Sequence, residues 1–276
     1  MLDVDLHSHS THSDGLLTPA ALVARAHGNG VQTYALTDHD TLSGLPDARA
    51  AAESHGMRFI NGVEISVSWA HETLHIVGLN FDALHEDITE GLLTVRAGRH
   101  ERAARIAADL ERVGIAGALA GAKAYAPNPD LISRAHFARY MVERGHVKDS
   151  NAAFRRYLTK GNPGYVDHQW ATLPQAVSWI TAAGGLAVIA HPGRYKLINK
   201  EREALLGEFR DLGGAAVEVV TGSHTAEQYD TWARYAQRYG LKASAGSDFH
   251  GPRESYLDLG KLPDLPYGLT AVWAGF

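Results

Sequence analysis

Cysteine is absent from this chain of 276 residues. Its absence excludes disulfide bonds and thiolate zinc sites, and it makes the cytoplasm the expected compartment. No apolar run is long enough to span a bilayer, and the first residues are acidic, without the basic segment of a secretory signal. The net charge of −5 lacks the positive excess that favours nucleic-acid binding. We therefore expect neither a membrane partner nor an obligate protein partner.

Hydrophobic residues make up 45% of the chain, which is enough for one large α/β domain with an insertion or for two domains. Short β-like runs alternate with helical stretches, and glycines such as Gly56 and Gly240 mark the helix ends. The alternation predicts a parallel sheet, and seven candidate strands suggest a (β/α) barrel slightly short of the usual eight. The candidate strands are residues 2–7, 33–37, 58–64, 73–79, 186–190, 215–220 and 242–246.

The alternation stops between about residues 85 and 165, where helical spacing dominates and no convincing strand intervenes. Within this segment, residues 116–126 are rich in alanine and glycine and are interpreted as a loop. We expect residues 1–84 and 166–276 to form the barrel. Residues 85–165 would then be a helical insertion that forms a lid or a small subdomain.

Residues of metal-ligand type follow most of the candidate strands. His7 and His9 lie two positions apart, a spacing that puts both side chains on one face of a strand. In barrels of this type the chemistry lies at the C-terminal ends of the strands, so these residues should converge. The candidate metal ligands are His7, His9, Asp14, His39, Glu64, His75, His191, Asp248 and His250.

Each ligand candidate also has an ordinary structural interpretation. Asp14 precedes a glycine as turn residues do, His75 could be a core histidine, and Asp38 and Asp40 could cap the following helix. Glu64 is predicted to end a central strand, and a glutamate in that position is seldom buried without a cation. The joint pattern, repeated at several strand ends, favours a metal cluster over these separate explanations.

Taken in order, the motifs resemble the PHP (polymerase and histidinol phosphatase) metallophosphoesterases over essentially the whole chain. They are His7-x-His9, Ser13-Asp14-Gly15, Thr37-Asp38-His39-Asp40, Gly62-x-Glu64, His75, His191-Pro192 and Ser247-Asp248-x-His250. The resemblance implies a distorted (β/α)7 TIM-like barrel of the PHP type that holds two or three divalent metals. In it, the first metal would take His7, His9, Glu64 and Asp248; the second Glu64, His75 and His191; and the third Asp14, His39 and His250. Asp14 replaces a histidine that some members have.

The donor set also indicates the chemistry. Nitrogen and oxygen ligands without thiolate suit manganese, the metal we expect first, and also iron or zinc. A hydroxide bridging two ions would be the nucleophile, and the ions would hold the phosphate oxygens. We predict Glu64, Asp248 and His191 as catalytic residues, with His191 as a general acid if it holds no metal. Asp5 and Asp40 could orient ligand imidazoles, or they could line the barrel and cap a helix.

A second group of residues suggests phosphate binding. Arg194 follows a ligand motif, where its guanidinium could hold a phosphate through two hydrogen bonds. The motifs around the predicted substrate-binding residues resemble the branch that acts on nucleotides and RNA ends, although Ala135 replaces a common proline. The predicted substrate-binding residues are Arg134, His136, Arg194, Lys160 and His224. Trp170 or Tyr195 could stack on a base, although ordinary packing would also explain both.

These observations predict a metal-dependent phosphoesterase that removes the 3′-phosphate from nucleoside 3′,5′-bisphosphates. The alternatives are a 5′-3′ exoribonuclease acting on short 5′-phosphorylated RNA, a histidinol-phosphate phosphatase, and a non-enzymatic metal-binding module. The negative charge and the lack of a basic stripe favour small substrates over RNA.

Overall fold

The computed structural model describes the whole chain from Met1 to Phe276 and contains one mixed sheet of eight strands. All seven predicted strands are present, and the short β5 is additional. The strands are β1 (Val4–Asp5), β2 (Thr33–Leu36), β3 (Arg58–Trp69), β4 (Glu72–Leu79), β5 (Ala171–Thr172), β6 (Leu186–Ile189), β7 (Ala216–Thr221) and β8 (Lys242–Gly246).

The sheet curves into a barrel with the strand order β1-β2-β3-β4-β6-β7-β8, and β5 pairs with β3. Main-chain hydrogen bonds return β8 to β1: the amide of Leu6 donates to Ala245, and the amide of Asp248 donates to His7 at 2.9 Å. This closure needs a glycine at position 246, because a Cβ there would lie 2.2 Å from the Cβ of His7. The predicted (β/α)7 barrel is confirmed.

One strand departs from the predicted parallel sheet. β4 runs antiparallel to both β3 and β6. Only Ala70 and His71 separate β3 from β4, which is enough for a hairpin and too short for a parallel crossover. β3 also continues to Trp69, so Glu64 lies in the middle of a strand and not at its end.

The helices are α1 (Pro19–Gly28), α2 (Leu45–Ser54), α3 (Glu86–Ala97), α4 (Arg99–Arg112), α5 (Ala118–Ala124), α6 (Arg134–Glu143), α7 (Ser150–Ala153), α8 (Leu173–Ala182), α9 (Asn199–Asp211) and α10 (Ala226–Tyr239). α7 continues into a π-helical turn, Phe154–Leu158. The predicted loop at residues 116–126 instead contains α5, since alanine is the strongest helix former. No helix is both long enough and apolar enough to cross a bilayer.

Side-chain alternation determines which residues point into the barrel. Ile60, Val77 and Ala216 belong to one buried apolar cluster contributed by several strands. Side chains two or four positions along the same strand share that face. On β3, β4 and β7 these are Glu64, His75 and Glu218. The apolar cluster therefore fills one part of the barrel and leaves a polar layer beyond it.

The helical segment between β4 and β5 has a hydrophobic cluster of its own. That cluster is built only from residues within 103–166. By contrast, Ile88, Leu92 and Val95 of α3 pack into the main cluster between the sheet and its helices. The insertion at residues 85–165 stays a prediction as a domain boundary, and this packing favours a start after α3.

Candidate metal centre and substrate cavity

The imidazoles and carboxylates predicted as ligands lie together at one end of the barrel. Within each of three groups, the possible ligand atoms are within 4.8 Å of one another. The groups are His7, His9, Glu64 and Asp248; His9, Asp14, His39 and His250; and His39, Glu64 and His75. His191 completes the set, because its Nε2 lies 2.8 Å from Oε1 of Glu64. The fold thus brings all nine predicted ligands into one cluster.

Glu64 is the centre of the cluster. Its Oε1 lies 2.9 Å from Nδ1 of His75, and its Oε2 lies 3.2 Å from Nε2 of His9. The carboxylate is completely buried. Burial would raise the pKa of Glu64, but the neighbouring imidazoles, His75 and His7 foremost, hold that pKa well below its ordinary value. Glu64 is therefore a buried anion surrounded by imidazoles.

Several of the possible metal-ligand atoms converge without forming hydrogen bonds to one another. Nδ1 of His39 lies 2.9 Å from Oε2 of Glu64, yet neither atom has a hydrogen-bond partner. Oδ1 of Asp14 is also buried without a partner. Buried polar atoms normally have partners, and converging lone pairs repel one another unless a cation lies between them. Nitrogen and oxygen donors in this arrangement fit divalent metal ions.

Backbone geometry turns the ligands inward at the ends of the strands. His191 and Asp248 have positive φ values of 27° and 55°, as does Asp40 at 52°. Residues other than glycine adopt such conformations at a cost of about 1–3 kcal/mol each, and they cluster at functional sites. Of the six residues other than glycine that have a positive φ, His191 and Asp248 belong to the cluster and Asp40 directly follows His39.

The sequence interpretation missed Glu218, a completely buried residue of β7. Its Oε1 accepts a hydrogen bond from Nδ1 of His7 at 2.7 Å, and its Oε2 accepts one from the amide of His191 at 2.5 Å. Glu218 thus has the imidazole-orienting position considered for Asp5 and Asp40. A lone glutamate in the apolar run of residues 216–221 was the available signal.

Asp5 and Asp40 have other partners. Asp5 accepts hydrogen bonds from the amides of Ser247 and Gly260 at 2.8 and 3.0 Å. Asp40 accepts from the amide and hydroxyl of Ser66 and forms an ion pair with Arg99. Asp5 thus joins the segments at Ser247 and Gly260, and Asp40 joins its own loop to β3 and α4. Neither carboxylate orients an imidazole by a hydrogen bond.

A cavity of about 620 Å³ opens onto the cluster. This volume is typical of small-molecule sites, which span about 300–1,000 Å³. Only 4 of the 27 lining residues are hydrophobic. Its cationic lining consists of the arginines Arg99, Arg102, Arg134 and Arg194. The cavity therefore combines a metal-ligand end with positively charged walls, as an anionic substrate requires.

Two of the five predicted substrate-binding residues line this cavity. Arg194 donates to Oδ2 of Asp248 at 2.8 Å, beside the cluster, while Arg134 donates to the carbonyl of Leu158 at 3.1 Å. Lys160 is exposed outside the lining and lies 3.5 Å from the carbonyl of His71. Of the five predicted substrate-binding residues, only Arg134 and Arg194 can therefore contact an anion in the cavity.

One ring nitrogen of His136 and both of His224 have structural contacts, while Nε2 of His136 is buried without a hydrogen-bond partner. Nδ1 of His136 accepts from the amide of Ser133 in a capping box at the start of α6. His224 donates from Nδ1 to the carbonyl of Val219, and its Nε2 accepts from the amide of Gly193 at 2.9 Å. Both ring nitrogens of His224 are therefore occupied by backbone groups, and neither is free for a substrate.

Trp170 and Tyr195, the two candidates for base stacking, already contact other groups of the protein. The Trp170 ring has the guanidinium carbons of Arg99 and Arg102 at 4.7 and 5.2 Å from its centroid. Tyr195 is buried, and its hydroxyl joins the amide of His75 to a carbonyl. Tyr256 lines the cavity and is 76% exposed, which makes its ring the most exposed of the aromatic rings in the lining.

Comparison with known proteins is consistent with this geometry. A family model described as the PHP domain matches residues 5–159. A 3′,5′-nucleoside bisphosphate phosphatase from Chromobacterium violaceum is 50% identical over 273 residues, which cover 99% of this chain and 96% of the relative. A 5′-3′ exoribonuclease from Haemophilus influenzae is 44% identical, with 99% and 98% covered. The Escherichia coli 5′-3′ exoribonuclease Rnm is 43% identical, with 98% and 92% covered.

Solved structures share the whole fold. A Chromobacterium violaceum protein described as an amidohydrolase, with bound sulfate and no metal, superposes with a TM-score of 0.97 at 49% identity, covering 99% of this chain and 95% of that one. A Bifidobacterium adolescentis protein described as a metal-dependent phosphoesterase gives a TM-score of 0.82 at 26% identity, covering 99% and 93%. The non-enzymatic alternative finds no support among these relatives.

Proposed function

The chain belongs to the PHP domain family and is a phosphoric ester hydrolase, and from this premise we propose that it removes the 3′-phosphate from nucleoside 3′,5′-bisphosphates. One observation carries the proposal: a single cavity joins the imidazole–carboxylate cluster to the guanidinium groups of Arg134 and Arg194. A substrate with two phosphates can contact both parts at once. The structural relative from Chromobacterium violaceum is described with bound sulfate, an anion shaped like phosphate.

We propose that the nine clustered imidazoles and carboxylates hold two or three divalent metals, with manganese first. Divalent ions held there would supply an activated water molecule and positive charge for the phosphate oxygens. Glu64 and Asp248 supply the central anionic ligands. Burial, with the charge of Arg194, lowers the pKa of His191 to about 3, so the ring is neutral at pH 7 as a metal ligand must be. A neutral ring suits a ligand better than a general acid.

Arg194 has the position expected for a contact to the phosphate that is cleaved. Its guanidinium touches Asp248, and its side chain is half exposed toward the cavity. Arginine holds phosphate through two parallel hydrogen bonds, so it can position the group while neutralising its charge. His224 contributes indirectly, because its bond to the Gly193 amide fixes the residue that precedes Arg194.

The base of the nucleotide would lie toward the cavity mouth, where Tyr256 is exposed. Stacking on an aromatic ring contributes about 1–3 kcal/mol per base and tolerates any base. The ring of Tyr256 therefore replaces Trp170 and Tyr195 as the proposed stacking surface. Localisation in the cytoplasm also remains a proposal, based on the absence of cysteine.

A 5′-3′ exoribonuclease is the second candidate, and it is favoured by the relatives from Haemophilus influenzae and Escherichia coli. Both reactions use one active site. The net charge of −5 supports the small substrate, because RNA binding relies on neutralising successive backbone phosphates.

The test measures phosphate release with Mn²⁺ from adenosine 3′,5′-bisphosphate, AMP, histidinol phosphate and a 5′-phosphorylated RNA oligomer. We expect strong preference for the bisphosphate, with 5′-AMP as the product. Stepwise release of mononucleotides from RNA would assign exonuclease activity instead. Activity on histidinol phosphate alone would refute both candidates.

A further inference from the structure

Asp14 differs from the other carboxylates of the cluster because its hydrogen-bond donors lie outside the barrel. Its Oδ2 accepts from the hydroxyl of Ser133 at 2.9 Å, and its main-chain carbonyl accepts from Nη2 of Arg139 at 2.5 Å. Ser133 is the N-cap of α6 and Arg139 lies within α6, so both donors belong to the helical segment between β4 and β5. The hydrogen bonds of Glu64 and Asp248 instead come from barrel residues.

The contact with Ser133 determines which oxygen of Asp14 faces the imidazoles. Oδ1 of Asp14 is buried without a hydrogen-bond partner. It lies 3.4 Å from Nε2 of His250 and 3.7 Å from Nε2 of His39. A carboxylate can accept through either of its oxygens, so the proton of the serine hydroxyl decides which one is left for a cation. With Oδ2 held by Ser133, that oxygen is Oδ1.

The start of α6 fixes the direction of the serine hydroxyl. The oxygen of Ser133 accepts from the amide of Ala135 at 3.1 Å as an N-cap, which leaves its proton for Asp14. The amide of Ser133 donates to Nδ1 of His136 at 3.0 Å and closes the capping box. Because both its main chain and its side chain are held, Ser133 presents its hydroxyl proton to Asp14 in one direction.

Arg139 joins α6 to a second segment of the cluster. This residue is 7% exposed, and its guanidinium donates to both carboxylate oxygens of Glu254 at 2.9 and 2.7 Å. Glu254 lies four residues after His250, whose amide donates to the hydroxyl of Ser255 at 2.7 Å. The same guanidinium reaches the carbonyl of Asp14. The segments that carry Asp14 and His250 are therefore both anchored to one helix.

The ligand group that contains Asp14 consists of His9, Asp14, His39 and His250. We propose that Ser133 is a positioning residue for a metal ion bound by this group, and that the group is complete only while α6 is docked on the barrel. The inference rests on the proposed metal centre and extends it to a residue outside the barrel. The other two ligand groups contain barrel residues alone, so metal binding there should not depend on Ser133.

The first experiment titrates the metal-free wild type, Ser133→Ala, Ser133→Thr and Asp14→Asn with Mn²⁺ in a calorimeter. Asp14→Asn identifies the binding step that depends on this carboxylate. Ser133→Ala should weaken the same step about 10- to 100-fold, as loss of a partner to a metal ligand does, and leave the other steps unchanged. Ser133→Thr keeps a hydroxyl and should restore most of the affinity. If Ser133→Ala leaves every step unchanged, or weakens all steps equally, the positioning role is refuted.

The matched control is Thr172→Ala, which removes the exposed N-cap hydroxyl of α8. Oγ1 of Thr172 accepts from the amide of Gln175 at 3.3 Å in a capping box like that of α6. Both alanine variants should lower the Tm of the metal-free protein, because each loses a cap. Only Ser133→Ala should also reduce the Tm increase caused by Mn²⁺. Identical Mn²⁺ titrations and Tm increases for the two variants would make Ser133 a helix cap and nothing more.

The hypotheses fail separately. If the wild type binds no Mn²⁺, the proposed metal centre is wrong. If the wild type binds Mn²⁺ and Asp14→Asn changes no step, Asp14 is not a ligand and the inference falls with it. If Asp14→Asn loses a step that Ser133→Ala keeps, only the role of Ser133 is wrong.

Discussion

Glu218 accepts a hydrogen bond from Nδ1 of His7 at 2.7 Å, and this contact fixes the state of the imidazole. With the proton on Nδ1, the lone pair of Nε2 points into the cluster, 3.1 Å from Nε2 of His9. Ligand histidines commonly donate their other ring nitrogen to a carboxylate, which fixes the tautomer and raises the basicity of the ligand. This contact supports the proposed role of His7 as a metal ligand, because Glu218 would hold its imidazole in the tautomer that a metal requires.

Glu218→Gln should weaken metal binding. The amide offers one acceptor and one donor, so it cannot accept from both His7 and the amide of His191. Loss of such a partner costs about 10- to 100-fold in metal affinity or activity. Calorimetric Mn²⁺ titration of the metal-free variant measures the effect, with the exposed Glu111→Gln as the control. Unchanged affinity would mean that the carboxylate does not prepare His7.

Asp248→Asn should abolish turnover. Oδ1 of Asp248 lies 3.5 and 3.3 Å from Nε2 of His7 and of His9, while its Oδ2 accepts from Arg194. The substitution removes one anionic ligand and the partner of the arginine. We expect a loss greater than about 100-fold in kcat, the upper range for disturbing a ligand only indirectly. The exposed Asp230→Asn is the control, and a wild-type rate in Asp248→Asn would contradict the cluster mechanism.

The clustering of the proposed metal ligands could be predicted from the sequence because two simple patterns coincide. Apolar runs mark the strands, and ligand residues follow them, as His9 and Asp248 do. Strand ends on one side of a barrel converge, so residues distant in sequence become neighbours. The prediction needed no side-chain detail, and the barrel with its clustered ligands agrees with it.

Features that depend on three-dimensional packing could not be read in this way. Glu218 stands alone in an apolar strand, and its importance depends on the distant His7 across the barrel. In the sequence, Arg102 lies among many charged residues and would be assigned to the solvent-facing side of α4. In the fold, the segment that contains Val166 covers it. The antiparallel β4 was detectable, because even the eight residues between the predicted strands 58–64 and 73–79 are too few for a parallel crossover.

Arg134→Gln should selectively weaken substrates that carry a second phosphate. Arg134 lies in the cavity wall with a carbonyl as its acceptor, so its remaining N–H groups are available to an anion. Loss of a charge-assisted hydrogen bond predicts a fall of about 10- to 100-fold in kcat/KM for the bisphosphate. Steady-state kinetics on bis- and monophosphates, with the exposed Arg155→Gln as the control, measures the difference. Equal losses on both substrates would count against this role.

Because of His224, the free energy of unfolding of the protein should decrease as the pH falls. Burial lowers the pKa of His224 to about 4, whereas the unfolded value is 6.5. Between these values the unfolded chain binds more protons than the native one, so the free energy of unfolding decreases as pH falls. The linkage amounts to about 2 kcal/mol between pH 7 and pH 5. His224→Gln lacks this titration and should lose that much less stability over the same interval. Urea unfolding of the metal-free proteins at both pH values measures it, with the exposed His100→Gln as the control. If wild type and His224→Gln have parallel pH profiles, His224 is not held neutral by its contacts with Val219 and Gly193.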